Sequence, residues 1–349
     1  MSSCRISSDM AAELVSVVVL NHNGLDHLEA CLSSLCAQTH HPLEVLLVDN
    51  ASKDGSVSWV RSHYPQVQVL ASDVNLGFSG GNNFGFRSAR GSYIAILNND
   101  TVAARDWVEK LVQAAEQHPE YGMFGSKILL YDMPERLDKA GHLMYWDGQN
   151  KGNGSGELDD AKYSRPGEIL FPDGCAALFR RSLLEDVGGF DEKFFAYGDD
   201  ADLGVRARLR GWKAYYVPDA RVWHRHSATA GIYSATKIFW VERNRLWLAI
   251  KNFPLPLLLL SPLFTAHRFF WNIWFCARGR GAAANFRKQH SALVLGSTVV
   301  SAYLDGLRKI RPILRDRRQV RRNRILTDRE FFFLLKRFNI SARDLAARD

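Results

Sequence analysis

The 349-residue sequence has no CxxC pair and only five cysteines, Cys4, Cys31, Cys36, Cys175 and Cys276, an odd number that cannot all pair. This argues against a zinc site and a disulfide framework, and a reducing compartment is expected. Residues 1–13 are polar and lack an apolar core, so no secretory leader is expected. The charge-free stretch 252–266 has 15 residues and contains Pro254, Pro256 and Pro262. A spanning helix needs roughly 20 apolar residues, so this stretch is too short. With 46% hydrophobic and 23% charged residues, the composition excludes both a wholly disordered chain and a polytopic membrane protein.

Charge of both signs is present but segregated. Residues 278–349 hold 18 Lys and Arg against 6 Asp and Glu, whereas 1–277 hold 27 against 31. A slightly acidic body therefore carries a strongly basic end, which suits an anionic surface of lipid head groups or nucleic acid.

Buried-strand patterns recur at 15–20, 43–48, 67–71 and 93–97, with helical patterns after each of the first three. This alternation predicts an α/β fold, Rossmann-like, with a mostly parallel sheet and helices on both faces. Residues 147–168 are rich in Gly, Asp and Lys and read as a long mobile loop. Helices are expected at 181–187 and 201–210, and a short strand at 214–217. From Ile232 the character changes, and the apolar stretch 253–275 and a second run of 14 residues, 291–304, lie among arginines. Such segments suit helices lying in a membrane interface, with Trp271, Trp274 and Phe275 as interfacial aromatics. The alternative is a helical subdomain packed on the body.

In an open parallel sheet, ligands bind beyond the carboxyl ends of the strands. Here those ends read Asn21-His22-Asn23, Asp49-Asn50, Ser72-Asp73 and Asn98-Asn99-Asp100. A dinucleotide fold would need G-x-G-x-x-G after the first strand, but only Gly24 stands there, and no Walker loop is present. A bound diphosphate would then need a divalent metal, held by carboxylate and imidazole. Asp100, Asp200 and His224 are the candidates.

These residues resemble the family 2 glycosyltransferases of GT-A fold, within them the rhamnosyltransferase-like group. The resemblance is carried by Asn21-His22-Asn23, by 48–56 around Asp49, by the glycine-rich stretch 75–85, by Leu97-Asn98-Asn99-Asp100, by 188–195 with Asp199-Asp200-Ala201-Asp202-Leu203, and by His224. It spans about 14–245, taken as the glycosyltransferase domain, and leaves 246–349 as a basic, apolar, helical membrane-associating region. It implies inverting, metal-dependent transfer of a sugar from a nucleotide diphosphate sugar, dTDP-rhamnose or a UDP- or GDP-sugar, to a hydroxyl of a glycan or lipid-linked acceptor, as in cell-surface polysaccharide synthesis. It implies Asp49 on the nucleotide base with Asn21, His22 and Asn23 lining that pocket, Asp73 and Asn75 near base and ribose, and Asn98 and Asn99 on the donor. Asp100 and His224 would hold Mg²⁺ or Mn²⁺, Asp200 would be the base, and Asp199 and Asp202 would support the acceptor side. Asn98 replaces the first carboxylate of the family's D-x-D, so metal affinity should depend on the donor's own oxygens. The expected location is cytoplasmic, peripheral on the inner face of the cell membrane. The rival classes are a non-catalytic nucleotide-sugar binder and a nucleic-acid binder. No nucleic acid is expected, because the basic tail lacks interleaved aromatics.

Overall fold

A computed structural model describes residues 13–226 and 234–347. The polar start of the chain, with Cys4, and the change of character at Ile232 lie outside the described residues. The first part runs β1 (Val15–Asn21), α1 (Leu25–Cys36), β2 (Leu43–Asn50), α2 (Ser56–His63), β3 (Gln68–Ser72), α3 (Gly77–Ser88), β4 (Tyr93–Asn98), β5 (Thr101–Ala103) and α4 (Trp107–Gln117). The middle runs β6 (Tyr121–Leu130), β7 (Leu137–Lys139), β8 (His142–Met144), β9 (Asn150–Gly152), β10 (Gly167–Ile169), β11 (Ala176–Arg180), α5 (Arg181–Val187), α6 (Asp199–Leu209) and β12 (Lys213–His224). Helices complete the chain: α7 (Ala235–Asn252), α8 (Leu255–Ala277), α9 (Gly281–Gln289), α10 (Ala292–Arg308), α11 (Ile310–Asn323), α12 (Asp328–Arg337) and α13 (Ala342–Ala347).

The main sheet has the order β10-β12-β6-β11-β4-β1-β2-β3. β1 pairs in parallel with both β2 and β4, β2 with β3, and β12 with β6. β11 enters antiparallel between β4 and β6. The unbroken Val15–Val19 run of β1 is buried on both faces, as a central strand requires, and the more polar β3 forms the edge. One face is covered by α1, α2 and α4, the other by α3, α5 and α6.

The glycines of α3 serve packing. A Cβ on Gly81 would lie 2.3 Å from the Leu20 side chain, and one on Gly85 would lie 2.4 Å from Val18. Their absence lets α3 settle onto β1, so that its N-terminus reaches the strand ends.

Three expectations are corrected. Residues 147–168 are structured: β9 pairs with β8, β10 pairs with β12, Tyr163 is buried, and Lys127 Nζ meets Asp159 at 2.8 Å. Strands of three residues are too short for their alternation to show in the sequence. The strand expected at 214–217 extends to His224 across a register shift between Val217 and Arg221, where Pro218 lies. The helix expected from 201 starts at Asp199.

A third core joins α6 to the C-terminal helices, with Phe171, Phe194, Val205, Leu209, Trp247, Leu257, Ile313, Phe331 and Leu335 in contact. Across it, Asp202 accepts hydrogen bonds from Lys251 Nζ at 2.9 Å, Arg206 Nε at 2.7 Å and Asn252 Nδ2 at 2.9 Å. Burial alone would raise the Asp202 pKa, but Lys251 and Arg206 bring it down to about 2. A depressed folded-state pKa stabilises above the unfolded value and loses that stabilisation as pH falls through the folded one. Asp202→Asn is therefore expected to cost roughly 3 kcal/mol at neutral pH, since Lys251 and Arg206 lose a buried counter-charge. The stability difference from the parent protein should shrink as pH falls from about 4 to about 2, which urea unfolding at several pH values measures.

Candidate active site

The strand ends converge as the sheet order demands. Asn21, closing β1, donates from Nδ2 to Asp49 Oδ1 at 3.0 Å and accepts from Asn99 Nδ2 at 2.7 Å, tying β1, β2 and the turn after β4 together. Asp49 is buried, and its other oxygen accepts from the Ser52 N–H at 3.0 Å. His22 Nδ1 lies 2.7 Å from the Asn50 carbonyl. Asn23, with φ +51°, accepts from the Lys53 N–H at 2.7 Å. Asn75 accepts from Asn50 Nδ2 at 3.0 Å, while Asn50 Oδ1 accepts from the Leu76 N–H at 2.7 Å. Asn50 was not singled out from the sequence, yet it fixes the loop into α3. Asn98 is half-buried, and Asp73 lies exposed beyond β3.

Asp100, in the turn that starts β5, is buried with one carboxylate oxygen 3.3 Å from His224 Nε2. The two residues are 124 positions apart in sequence and meet because β12 pairs with β5. His224 Nδ1 lies 2.8 Å from Asp138 Oδ2, and His226 Nε2 lies 3.0 Å from the same oxygen. Burial opposes charge on Asp138, but Lys139, His224 and His226 hold it well below the usual carboxylate range. An ionised Asp138 accepts the Nδ1–H; burial works against charge on His224, but Cys175, Asp100 and Asp138 lift its pKa well above the ordinary value, and a divalent cation at Nε2 would take the place of the proton that faces Asp100. One carboxylate, one imidazole and its carboxylate partner fit a divalent cation whose other ligands come from a diphosphate.

Asp199 and Asp200 open α6 and differ in exposure. Asp199 is 4% exposed and accepts from Ser79 Oγ at 3.3 Å. Burial, then the adjacent Asp200, lift its pKa well above the ordinary value. The Asp200 side chain is 19% exposed. Its Oδ1 accepts from the Ala201 N–H at 2.7 Å and its Oδ2 from the Gly174 N–H at 3.3 Å. Burial raises its pKa too, and His142 counters this. Asp202, grouped with them by the motif, is instead engaged by Lys251 and Arg206 in the core.

A chain of polar contacts links the two ends of the site. From Asp200 Oδ2 it runs to His142 Nε2 (3.7 Å), Asp173 Oδ2 (2.7 Å), Lys139 Nζ (2.8 Å), Asp138 Oδ2 (4.0 Å) and on to His224 and Asp100. Asp138, Lys139, His142 and Asp173 escaped the sequence reading: β7 and β8, which carry the first three, are three residues each and show no period, and Asp173 lies in the loop before β11. His226, two residues past His224, carried no role in the sequence reading either.

Residues 16–188 match the profile of Glycosyl transferase family 2. The N-acetylglucosaminyl-diphospho-decaprenol L-rhamnosyltransferase of Mycobacterium tuberculosis is 29% identical over 268 residues, covering 67% of this chain and 86% of that protein. O-antigen biosynthesis protein RfbC of Myxococcus xanthus is 30% identical over 69% of this chain but only 20% of its own length. Among solved structures, GalNAc-T7 with UDP, GalNAc and Mn²⁺ superposes with a TM-score of 0.60 at 16% identity, over 81% of this chain and 55% of that one. Mannosyltransferase PcManGT of Pyrobaculum calidifontis, with GDP-Man and Mn²⁺, gives 0.52 at 19% identity, over 89% and 86%. Both likenesses concern the fold, which is GT-A.

Proposed function

This chain belongs to the family 2 glycosyltransferases, in the rhamnosyltransferase-like group, and from that we propose that it transfers a sugar from a nucleotide diphosphate sugar to a hydroxyl of a glycan or lipid-linked acceptor, with inversion. dTDP-rhamnose is the first donor to try, given the mycobacterial relative. The observation that carries the reading is the joining of Asp200 to the Asp100–His224 pair through one chain of polar contacts.

In this reading Asn21, His22, Asn23, Asp49, Asp73 and Asn75 receive the nucleoside, and Asn98 and Asn99 receive the donor's diphosphate side. The acceptor hydroxyl gives its proton to Asp200 while its oxygen bonds to the anomeric carbon. The bond from that carbon to the diphosphate breaks, and its electron pair leaves with the nucleoside diphosphate. A single displacement inverts the centre and needs no carboxylate nucleophile. Asp100 and His224 would hold Mg²⁺ or Mn²⁺, which when bound supplies positive charge to the leaving group. The base is Asp200 rather than Asp199, because Asp200 is the more accessible and Asp199 is sealed against Ser79. A thermal-shift screen of dTDP-, UDP- and GDP-sugars with Mg²⁺ or Mn²⁺ tests this. A true donor at ~100 times its Kd adds about 2.7 kcal/mol, whereas no metal-dependent shift with any of them would overturn the reading.

We place residues 14–245 as the transfer domain and 246–349 as the region that docks the enzyme on the inner face of the cell membrane. Among the described residues no helix is long and apolar enough to cross a membrane. α8 runs through Pro262 as one helix. Leu255, Leu259, Leu263, Phe270, Ile273 and Trp274 are exposed on it, within about 100° of its circumference. Leu257, Ser261, Thr265 and Arg268 on the opposite side are buried against the body. Replacing Leu259, Leu263 and Ile273 by serine should abolish co-sedimentation with phosphatidylglycerol vesicles while leaving donor binding intact. High salt should weaken the parent protein's attachment, at roughly 1 kcal/mol per engaged basic residue. A parent protein that ignores such vesicles would refute docking. Truncation is the poorer test, since the tail completes the core beneath α6.

A further inference from the structure

Three side chains beside Asp200 have no part in the mechanism above. Lys139 ends β7, His142 begins β8, and Asp173 lies just before β11. Asp173 Oδ2 is 2.8 Å from Lys139 Nζ and 2.7 Å from His142 Nε2. The same imidazole nitrogen is 3.7 Å from Asp200 Oδ2. His142 and Asp173 are 6% and 7% exposed, and the imidazole lies flat on Phe171, centroids 4.9 Å apart and planes 16° from parallel. The ring is thus held in place by stacking on one side and a carboxylate at its edge.

Its protonation follows from its partner. Burial resists charge on Asp173, but Lys139 and His142 hold it well below the usual carboxylate range. An ionised carboxylate only accepts hydrogen bonds, so His142 must carry its proton on Nε2. The other nitrogen, Nδ1, is buried with no protein partner. An unpaired buried polar atom costs about 1–3 kcal/mol. A phenyl ring would stack on Phe171 without that cost, so packing alone does not account for a histidine here.

We propose that His142 is a positioning residue for Asp200: Lys139 and Asp173 hold the imidazole, whose Nε2–H donates to Asp173 at 2.7 Å, with its polar edge 3.7 Å from Asp200 Oδ2, and that edge keeps the Asp200 carboxylate oriented and ionised for the acceptor hydroxyl. The proposal rests on Asp200 being the base. Asp200 accepts from the backbone N–H groups of Ala201 and Gly174, and the His142 imidazole is the polar side chain set beside it at 3.7 Å. The charged and titratable groups around Asp200 are His142 on β8, Lys139 on β7, Asp173 before β11, and Asp199 on α6. Burial pushes the Asp200 pKa up, His142 pulls it down, Asp173 pushes it up and Lys139 pulls it down. A base works only when ionised, so the rate falls as pH drops through its pKa. Loss of the imidazole's electrostatic influence raises that pKa and moves the acid limb to higher pH.

The test uses the full chain with His142→Phe and His142→Gln. Two readouts are needed: the pH dependence of kcat and KM for dTDP-rhamnose hydrolysis with Mn²⁺, and the titration of Asp200 by carboxyl ¹³C NMR. The resonance is identified by its loss in Asp200→Asn. His142→Phe is expected to lower kcat about 10–100-fold with KM within about twofold, and to raise both the acid limb and the Asp200 titration by roughly one pH unit. His142→Gln, which keeps an N–H donor, should recover most of both. If the phenylalanine protein does not fold, His142→Met, which also lacks a donor, replaces it. A folded donor-less variant whose Asp200 titration stays put, or a rate loss with no movement of the acid limb, overturns the proposal. If the titration moves with His142 while Asp200→Asn keeps full activity, the coupling stands and the assignment of the base fails instead.

Discussion

Asp200→Asn should lower the single-turnover rate of sugar transfer by roughly 10²–10⁴, the span of general-base catalysis. The amide keeps the shape of the carboxylate, and its single oxygen can still accept from one of the Ala201 and Gly174 N–H groups, which reach different oxygens in the parent protein. It cannot take a proton from the acceptor. A base acts in the transition state, so donor affinity, measured separately by titration calorimetry, should stay close to the parent value. Asp199→Asn should lose much less. Asp199 is buried against Ser79, and burial together with Asp200 favours its neutral form, which asparagine imitates. If Asp199→Asn is the inactive protein and Asp200→Asn turns over normally, the two roles are exchanged. If neither slows transfer, the acidic start of α6 is a helix-dipole feature and the mechanism is wrong.

Asp100→Ala should abolish turnover and remove the part of donor binding that depends on Mg²⁺ or Mn²⁺. Measured in chelator, donor affinities of the variant and the parent protein should converge, because the nucleoside contacts at β1, β2 and the loop before α3 do not involve Asp100. The expected loss is large because Asn98 supplies no second charge at this turn, leaving Asp100 as the carboxylate at the Nε2 edge of His224. His224→Ala should be milder, since water can replace one neutral ligand. Asp138→Asn should weaken Mn²⁺ binding in the presence of donor by roughly 10–100-fold, because the imidazole exchanges an ionised hydrogen-bond partner for a neutral, weaker one. Free Mn²⁺ measured by electron paramagnetic resonance reads this without turnover. An Asp100→Ala protein with normal metal-dependent activity would remove Asp100 from the site.

Much of this site can be read along the chain because its parts obey local rules. A β-branched run such as 15–20 has few options besides a buried strand, and a strand that ends in Asn21 or Asp49 declares a polar edge. Parallel pairing then brings such ends together whatever lies between them. Asp100, Asp200 and His224 were accessible for this reason, each standing at the end of a strand or the start of a helix. The glycines of α3 were visible too, but their purpose, close approach to Leu20 and Val18, depends on which strands lie beneath them.

What only the tertiary structure decided involves partners distant in sequence. Lys139, His142 and Asp173 lie on or beside strands too short to carry a period, and their meaning comes from contacts with α6 and with each other. The order of exposure of Asp199 and Asp200 is set by Ser79 on α3, 120 residues away, and no local pattern encodes it. α8 has leucines on both of its faces, so hydropathy alone cannot say which face meets the body. The buried pairing of Arg268 with Asp147 at 2.8 Å and with Glu242 at 2.8 Å turns that side inward, leaving Leu259 and Leu263 outside. Burying a charge is tolerable only where its counter-charge is waiting, and that condition is met only once the chain has folded.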